Sequence, residues 1–287
     1  MTFKQRLVLY AKLVRLDRPI GILLLLWPTL WGLWFAAEGL PDVDVLIIFV
    51  LGTILMRSAG CAINDFADRH IDGHVSRTRN RPLATGEIQP REALQVAAGL
   101  GLCAFVLILP LNQLTILLSI PALLLAASYP FTKRFFAMPQ AYLGIAFSFG
   151  IPMAFAAQTG SLPLIIWPLL LANLCWVIAY DTEYAMVDRE DDLKIGIKTS
   201  AITLGRFDVA GVMLFYAIFL SLLAYVGLTT QRGTWFYTSL LVVFGLVLHQ
   251  YQLIRNREPT SCFRAFLDNN VIGATIFIGI VLDTAFD

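Results

Sequence analysis

Charge is scarce in this chain. Of 287 residues, 14% are Asp, Glu, Lys or Arg and 58% are hydrophobic. A soluble domain carries about 25% charged residues, so a water-soluble globular domain is excluded. Cysteine is nearly as rare, with four residues and no Cys-x-x-Cys pair. Cys61, Cys103 and Cys175 fall in apolar runs and Cys262 in a loop. They read as reduced core residues, which argues against a disulfide framework and a zinc site. His70, His74 and His249 do not cluster, so neither a histidine metal centre nor a Ser/His/Asp triad has support. The net charge of +1 says little by itself, because the charges are unevenly placed. No nucleic-acid partner and no obligate protein partner is expected.

What the chain has in abundance is long apolar runs. They cover roughly residues 20–37, 43–63, 93–111, 113–128, 141–157, 162–179, 209–228, 235–252 and 269–286. Runs of about 18 or more apolar residues read as transmembrane helices, and the shorter ones fit the same alternation. The expectation is an all-α integral membrane protein, a single domain over residues 1–287 with about nine spans. Ahead of them, Lys4, Arg6, Lys12, Arg15 and Arg18 mark a basic amphipathic stretch suited to a membrane surface. It is not expected to be a cleaved signal, since the first apolar run is long enough to span. Charge placement tests the count. With nine spans, 19 of the 21 Lys and Arg residues fall on one side, leaving Arg232 opposite and Arg57 within a span. The positive-inside rule then puts the N-terminus and the long polar loops in the cytoplasm and the C-terminus outside.

The polar residues gather at two places. The second span leads into Asn64-Asp65-Phe66-Ala67-Asp68-Arg69-His70-Ile71-Asp72. Helical residues four apart share a face, so Asn64, Asp68 and Asp72 would form one stripe with Asp65 beside it. The sixth span leads into Tyr180-Asp181-Thr182-Glu183-Tyr184-Ala185-Met186-Val187-Asp188-Arg189-Glu190-Asp191-Asp192. Asp188 and Asp192 repeat the spacing of Asp68 and Asp72. A second register matches Asp65 to Asp181 and Asp72 to Asp188. Four spans separate the clusters, which suggests a parallel internal repeat of spans 1–4 and 5–8. Two facing carboxylate pairs suit hard divalent cations. The same loops carry Arg77, Arg79, Arg81, Lys133, Arg134, Lys194 and Lys198. Apart from Arg79, best explained as a topology signal, these cations beside acid-held magnesium describe a site for phosphate oxygens. Arg57, ionisable within a span, is a candidate by default: it pairs with the acids, binds a substrate anion or snorkels. Trp27, Trp31 and Trp34 form a helical stripe of the packing or interfacial kind. Trp31 is also a minor candidate for facing a cation.

These motifs resemble the UbiA superfamily of intramembrane prenyltransferases, and within it the hydroxybenzoate branch. The carriers are R-L-D-R-P-I-G-I-L-L-L-L-W-P-T-L-W-G-L-W from Arg15, N-D-x-x-D-x-x-x-D from Asn64 and R-T-R-N-R-P-L-A-T-G from Arg77. Y-P-F-T-K-R from Tyr129, the stretch from Gly150 to Ala157, and Tyr180 to Thr199 with its K-I-G-I-K tail complete them. The resemblance implies a nine-helix bundle around a central cavity with cytoplasmic cap loops. It implies that Asp68, Asp72, Asp188 and Asp192, assisted by Asn64, hold two Mg2+ ions, and that Arg134 with Lys133, Arg77 and Arg81 neutralises a leaving diphosphate. Asp65, Asp181, Tyr184, Lys194 and Lys198 are further substrate-binding candidates, and Arg57 is the candidate for an aromatic carboxylate. The implied activity transfers a polyprenyl group from polyprenyl diphosphate to 4-hydroxybenzoate, a membrane step of ubiquinone synthesis at the bacterial inner membrane. Two rivals stand beside it: a sister enzyme acting on naphthoate, homogentisate or haem, and a transporter, whose site belongs nearer the midplane.

Overall fold

The computed structural model describes residues 2–286. Among the described residues there are helices and turns and no strands. Helix α1 (Phe3–Leu13) opens with a capping box, in which Thr2 accepts from the Gln5 backbone and Gln5 accepts from the Thr2 backbone. Its Leu9 and Leu13 bury against Ala62, Leu83, Ile88, Ala93 and Ala97. An Arg6–Glu92 ion pair, joined by Tyr10 at 3.1 Å, anchors its outer edge.

The bundle follows. Helices α2 (Ile20–Ala37), α3 (Val43–Asp68), α4 (Pro90–Ile108) and α5 (Gln113–Thr132) are each continuous. The next span is broken into α6 (Pro139–Ser148) and α7 (Gly150–Thr159). Pro152 offers no N–H to the Ser148 carbonyl, so the α-helical ladder is interrupted there. The broken span packs tightly on α2: a Cβ on Gly150 would collide with Thr29. Helix α8 (Ile166–Val187) leads into two short cap helices, α9 (Arg189–Ile195) and α10 (Ser200–Leu204). Helices α11 (Asp208–Thr229), α12 (Thr234–Ile254) and α13 (Pro259–Phe286) complete the fold.

Among the described residues, eight helical segments are long and apolar enough to cross a bilayer, with α6–α7 counted as one and α10 joined to α11. Helix α8 supplies the ninth span. It carries Asn173, Asp181, Thr182 and Glu183, and it packs among α6, α11, α13 and α2 at the bundle centre. Two boundaries differ from the apolar runs in a consequential way. Helix α3 continues past Ile63 to Asp68, and α8 continues past Ala179 to Val187. The acidic motifs begin as the last turns of helices, because those turns keep one face packed while the other meets a polar cavity. Helix α3 stops at Asp68, and Asp72 opens a separate 3-10 turn, Asp72–His74. Asp72 is therefore not on the continuous helical stripe that the four-residue spacing predicts.

The core is aromatic with one polar knot. Trp31 lies 5.2 Å from Trp176, and Phe219 stacks on Trp176 at 5.8 Å. Beside them, Asn269 Oδ1 accepts from Trp176 Nε1 at 2.7 Å and from the Tyr216 hydroxyl at 2.8 Å. Asn269 Nδ2 donates to Glu183 Oε2 at 2.8 Å. All four side chains are fully buried. The knot ties α8 to α11 and α13 and fixes the rotation of α8 about its axis. Replacing Asn269 by Leu leaves the Trp176 indole N–H and Glu183 Oε2 without the partners they have here, with only Tyr216 remaining on Glu183. Each stranded group costs about 1–3 kcal/mol, so Asn269→Leu should lower thermal stability in detergent well below that of an exposed-face change such as Thr238→Leu.

Candidate active site

A cavity of about 700 Å³ opens among α2, α3, α5, α6–α7 and α8, with α4 on its flank. Its mouth lies at the end of the bundle that carries α1, α9 and α10. Both acidic motifs face it: Asn64, Asp65, Asp68 and Asp72 from one side, and Asp181, Tyr184, Asp188 and Asp192 from the other. Arg77, Arg81 and Lys133 line the same mouth.

Acids and bases alternate there. Lys133 Nζ donates to Asp68 Oδ2 at 2.9 Å. Burial alone would pull the Lys133 ammonium down, but Asp68 outweighs it and holds it above its ordinary pKa. Arg81 reaches Asp65 at 3.1 Å and Asp72 at 2.9 Å. Arg15 grips the other side of Asp65 at 2.8 and 3.0 Å. Burial raises the pKa of the Asp72 carboxyl, against the pull of Arg81. Arg77 Nε donates to both Asp188 oxygens at 3.1 Å, and its guanidinium stacks 4.4 Å from the Tyr184 ring centroid. The loops carrying these groups are interlocked. The Ser76 backbone donates to Asp191 at 3.1 Å. Fully buried Asp208 holds Arg189, the neighbour of Asp188, at 3.0 Å and Arg257 at 2.9 Å.

Asp192 differs from Asp68, Asp72 and Asp188. It is buried and makes no ion pair among the described residues. Burial, reinforced by Asp188, pushes its carboxyl up to about 7. This corner of the mouth is short of positive charge. The donors around it are oxygens, as hard cations require. Among the described residues no three metal-ligating side chains converge on one point. The oxygen donor set itself suits a hard divalent cation such as Mg2+, which binds through one or two carboxylates and completes its shell with phosphate oxygens and water.

Below the acids the cavity changes character. Arg57 donates Nε to the Gly21 carbonyl at 3.2 Å and Nη1 to Cys61 at 3.0 Å, and its guanidinium lies 5.7 Å from the Phe147 ring centroid. It makes no ion pair with the acidic cluster among the described residues, so the pairing alternative drops out. Gly21 is needed for this placement, because a Cβ there would lie 2.6 Å from Arg57 Nη2. Tyr129, Tyr180 and Tyr184 line the same level.

Three expected site residues lie elsewhere. Arg134 donates to the Ala67 carbonyl at 2.9 Å, outside the cavity lining. Lys194 sits on the exposed side of α9, 3.6 Å from Asp191. Lys198 reaches the Phe135 carbonyl at 3.0 Å and braces two loops against each other. Trp31 is fully buried in the core and faces no cavity. Conversely, Arg15 was missed as a site residue. The residue pattern places it in the basic surface stretch, and its left-handed backbone (φ 60°), which turns it inward, leaves no mark in that pattern.

A model of the UbiA prenyltransferase family matches residues 25–278. The chain is 76% identical over 284 residues to a protein of Nitrosomonas eutropha named 4-hydroxybenzoate octaprenyltransferase, covering 99% of each chain. A protein of the same name from Nitrosospira multiformis is 69% identical over 283 residues, covering 99% of this chain and 98% of that one. Among solved structures, the apo form of a UbiA homolog from Aeropyrum pernix shares the fold with a TM-score of 0.81 at 24% identity, over 91% of this chain and 97% of that one. A UbiA homolog from Archaeoglobus fulgidus bound to GPP and Mg2+ has a TM-score of 0.74 at 20% identity, over 95% of this chain and 99% of that one. Two facing acidic motifs in a nine-span bundle and a match over most of the chain lead to one conclusion: this protein belongs to the UbiA prenyltransferase family.

Proposed function

We propose that the chain transfers a polyprenyl group from polyprenyl diphosphate to 4-hydroxybenzoate, at the ring carbon ortho to the hydroxyl, and releases diphosphate. The reaction is a membrane step of ubiquinone synthesis. One observation carries the reading: two acidic clusters face each other across the mouth of a single cavity, interleaved with Arg77, Arg81 and Lys133, above an apolar shaft. The names of its curated relatives support the acceptor.

Asp68, Asp72, Asp188 and Asp192, with Asn64, are the residues that would hold Mg2+. When bound, Mg2+ neutralises the charge that develops on the departing diphosphate. The chain's own part is positioning and charge. Arg77, Arg81 and Lys133 stand beside the carboxylates and offer N–H donors to diphosphate oxygens. Breaking the allylic C–O bond leaves a cation at the level of Tyr129, Tyr180, Tyr184 and Phe147, whose ring faces stabilise it. Arg57, at the same level, holds the acceptor carboxylate, so that the ring carbon beside the hydroxyl meets the cation. The ring then loses its proton. Protein walls around this level keep water from quenching the cation. The parallel repeat remains part of this reading, since it relates the two acidic clusters.

The expected outcome of mutagenesis is specific. Asp68→Ala and Asp188→Ala should each reduce Mg2+-dependent prenyl transfer by about a hundredfold or more; wild-type rates in either would sink the proposal. Losing a charge-assisted hydrogen bond costs about 1.5–3 kcal/mol, so Arg57→Ala should raise KM for 4-hydroxybenzoate by about tenfold or more. Gly21→Ala, which displaces the Arg57 guanidinium, should move the same constant in the same direction. An unchanged acceptor KM in both variants removes Arg57 from this role.

The protein is a multi-span membrane protein, and we infer that it lies in the bacterial inner membrane with its N-terminus and acidic loops cytoplasmic. Support comes from the 19 of 21 Lys and Arg residues that fall on one side. Cys61, Cys175 and Cys262 are buried, so labelling is feasible in a Cys103→Ser background. Glu87→Cys should react with a membrane-impermeant maleimide only in inverted vesicles, and Gln231→Cys only in spheroplasts. The opposite pattern reverses the orientation.

A further inference from the structure

The cavity does not end at Arg57. It follows α3 from Asp68 past Gly60 and Gly52 to Ile48, a helical distance of about 30 Å. Below Arg57 the lining is mainly large apolar side chains such as Phe49, Met56, Phe105 and Met153, and Gly52 on α3 and Gly101 on α4 interrupt it with no side chain at all. On the α4–α5 side, Phe105 and Leu123 line the shaft while 43% and 49% exposed. The shaft therefore opens sideways to lipid between two helices that hardly touch.

The two glycines are not explained by packing. Where helices of this bundle approach closely, a Cβ on glycine collides, as on Gly150. A Cβ on Gly52 or Gly101 meets nothing within 4 Å. Glycine is also the poorest helix former after proline, so neither position favours its own helix. What each glycine provides is empty space in the shaft.

Resting on the prenyl-transfer reading above, we propose that Gly52 and Gly101 are specificity-determining residues. The space left by their absent side chains keeps the shaft open for the long branched hydrocarbon tail of the donor. A short tail, held near the acidic mouth, does not reach that depth. Filling the shaft at either position selects against length rather than against chemistry.

Leucine is the appropriate substitution, because a Cβ at either position meets nothing within 4 Å, the rest of the side chain takes up shaft space, and helix propensity improves. Gly99 is the control. It lies two residues from Gly101 on the same helix, is exposed, lies outside the cavity lining, and a Cβ there also meets nothing within 4 Å. Wild type, Gly52→Leu, Gly101→Leu and Gly99→Leu are compared in lipid nanodiscs, with 4-hydroxybenzoate as acceptor and either geranyl or octaprenyl diphosphate as donor. The readout is the octaprenyl-to-geranyl ratio of kcat/KM. It should fall about tenfold or more in the two shaft variants, the scale on which added bulk discriminates in an apolar pocket, and stay at the wild-type value in Gly99→Leu. An unchanged ratio in both shaft variants overturns the inference, as does an equal fall in Gly99→Leu. If wild type transfers both donors and the ratio does not move, this inference alone fails. If wild type transfers neither donor, the function proposed above fails with it.

Discussion

A carboxylate cannot be taken out of water alone at modest cost, and the architecture of this protein's polar end follows from that constraint. Lys133 neutralises Asp68, Arg81 is shared by Asp65 and Asp72, Arg77 clasps Asp188, and Asp208 draws in Arg189 and Arg257. Lys133 with Asp68, Arg77 with Asp188 and Arg257 with Asp208 join segments far apart in sequence. The ion pairs therefore hold the loops over the cavity while they arrange its charges. The same pairing sets the chemistry available: cations already placed beside carboxylates are ready for the oxygens of a diphosphate.

The apolar part of the bundle obeys a different rule. In a bilayer there is no water to satisfy a stray polar group, so the buried Asn269, Glu183, Tyr216 and Trp176 satisfy one another. That knot faces away from the cavity and turns Asp181 and Tyr184 toward it. Helix α8 is thus both the most enclosed element and the one that supplies half of the site. Shape then divides the cavity into three levels: charged groups at the mouth, Arg57 and aromatic rings below, and a mainly apolar shaft bordered by Gly52 and Gly101 beneath them.

Much of this was legible in the residue pattern. Apolar runs gave the spans, because the bilayer demands continuous hydrophobic length. The one-sided Lys and Arg distribution supported their number. Both acidic motifs were found by spacing and composition, and family resemblance added the expected roles. The pattern erred at ends and faces. It could not show that α3 stops at Asp68 and leaves Asp72 on a separate turn. It grouped Arg134, Lys194 and Lys198 with the site because they neighbour it in sequence, yet backbone carbonyls and a surface carboxylate hold them outside the lining. It passed over Arg15, whose inward turn depends on a left-handed backbone and on the waiting Asp65.

The sequence by itself determined that the chain spans a membrane about nine times and gathers oxygen ligands and cations at one end. Those properties are set by hydropathy, local period and charge, which every residue carries regardless of its surroundings. Only the tertiary structure decided which acid meets which base, that Arg57 stands free of the acids, that Trp31 belongs to the core, and that Gly52 and Gly101 border empty space. Those are relations between helices. They depend on rotation about each helix axis and on loop conformation, and neither is encoded in any single stretch of the chain.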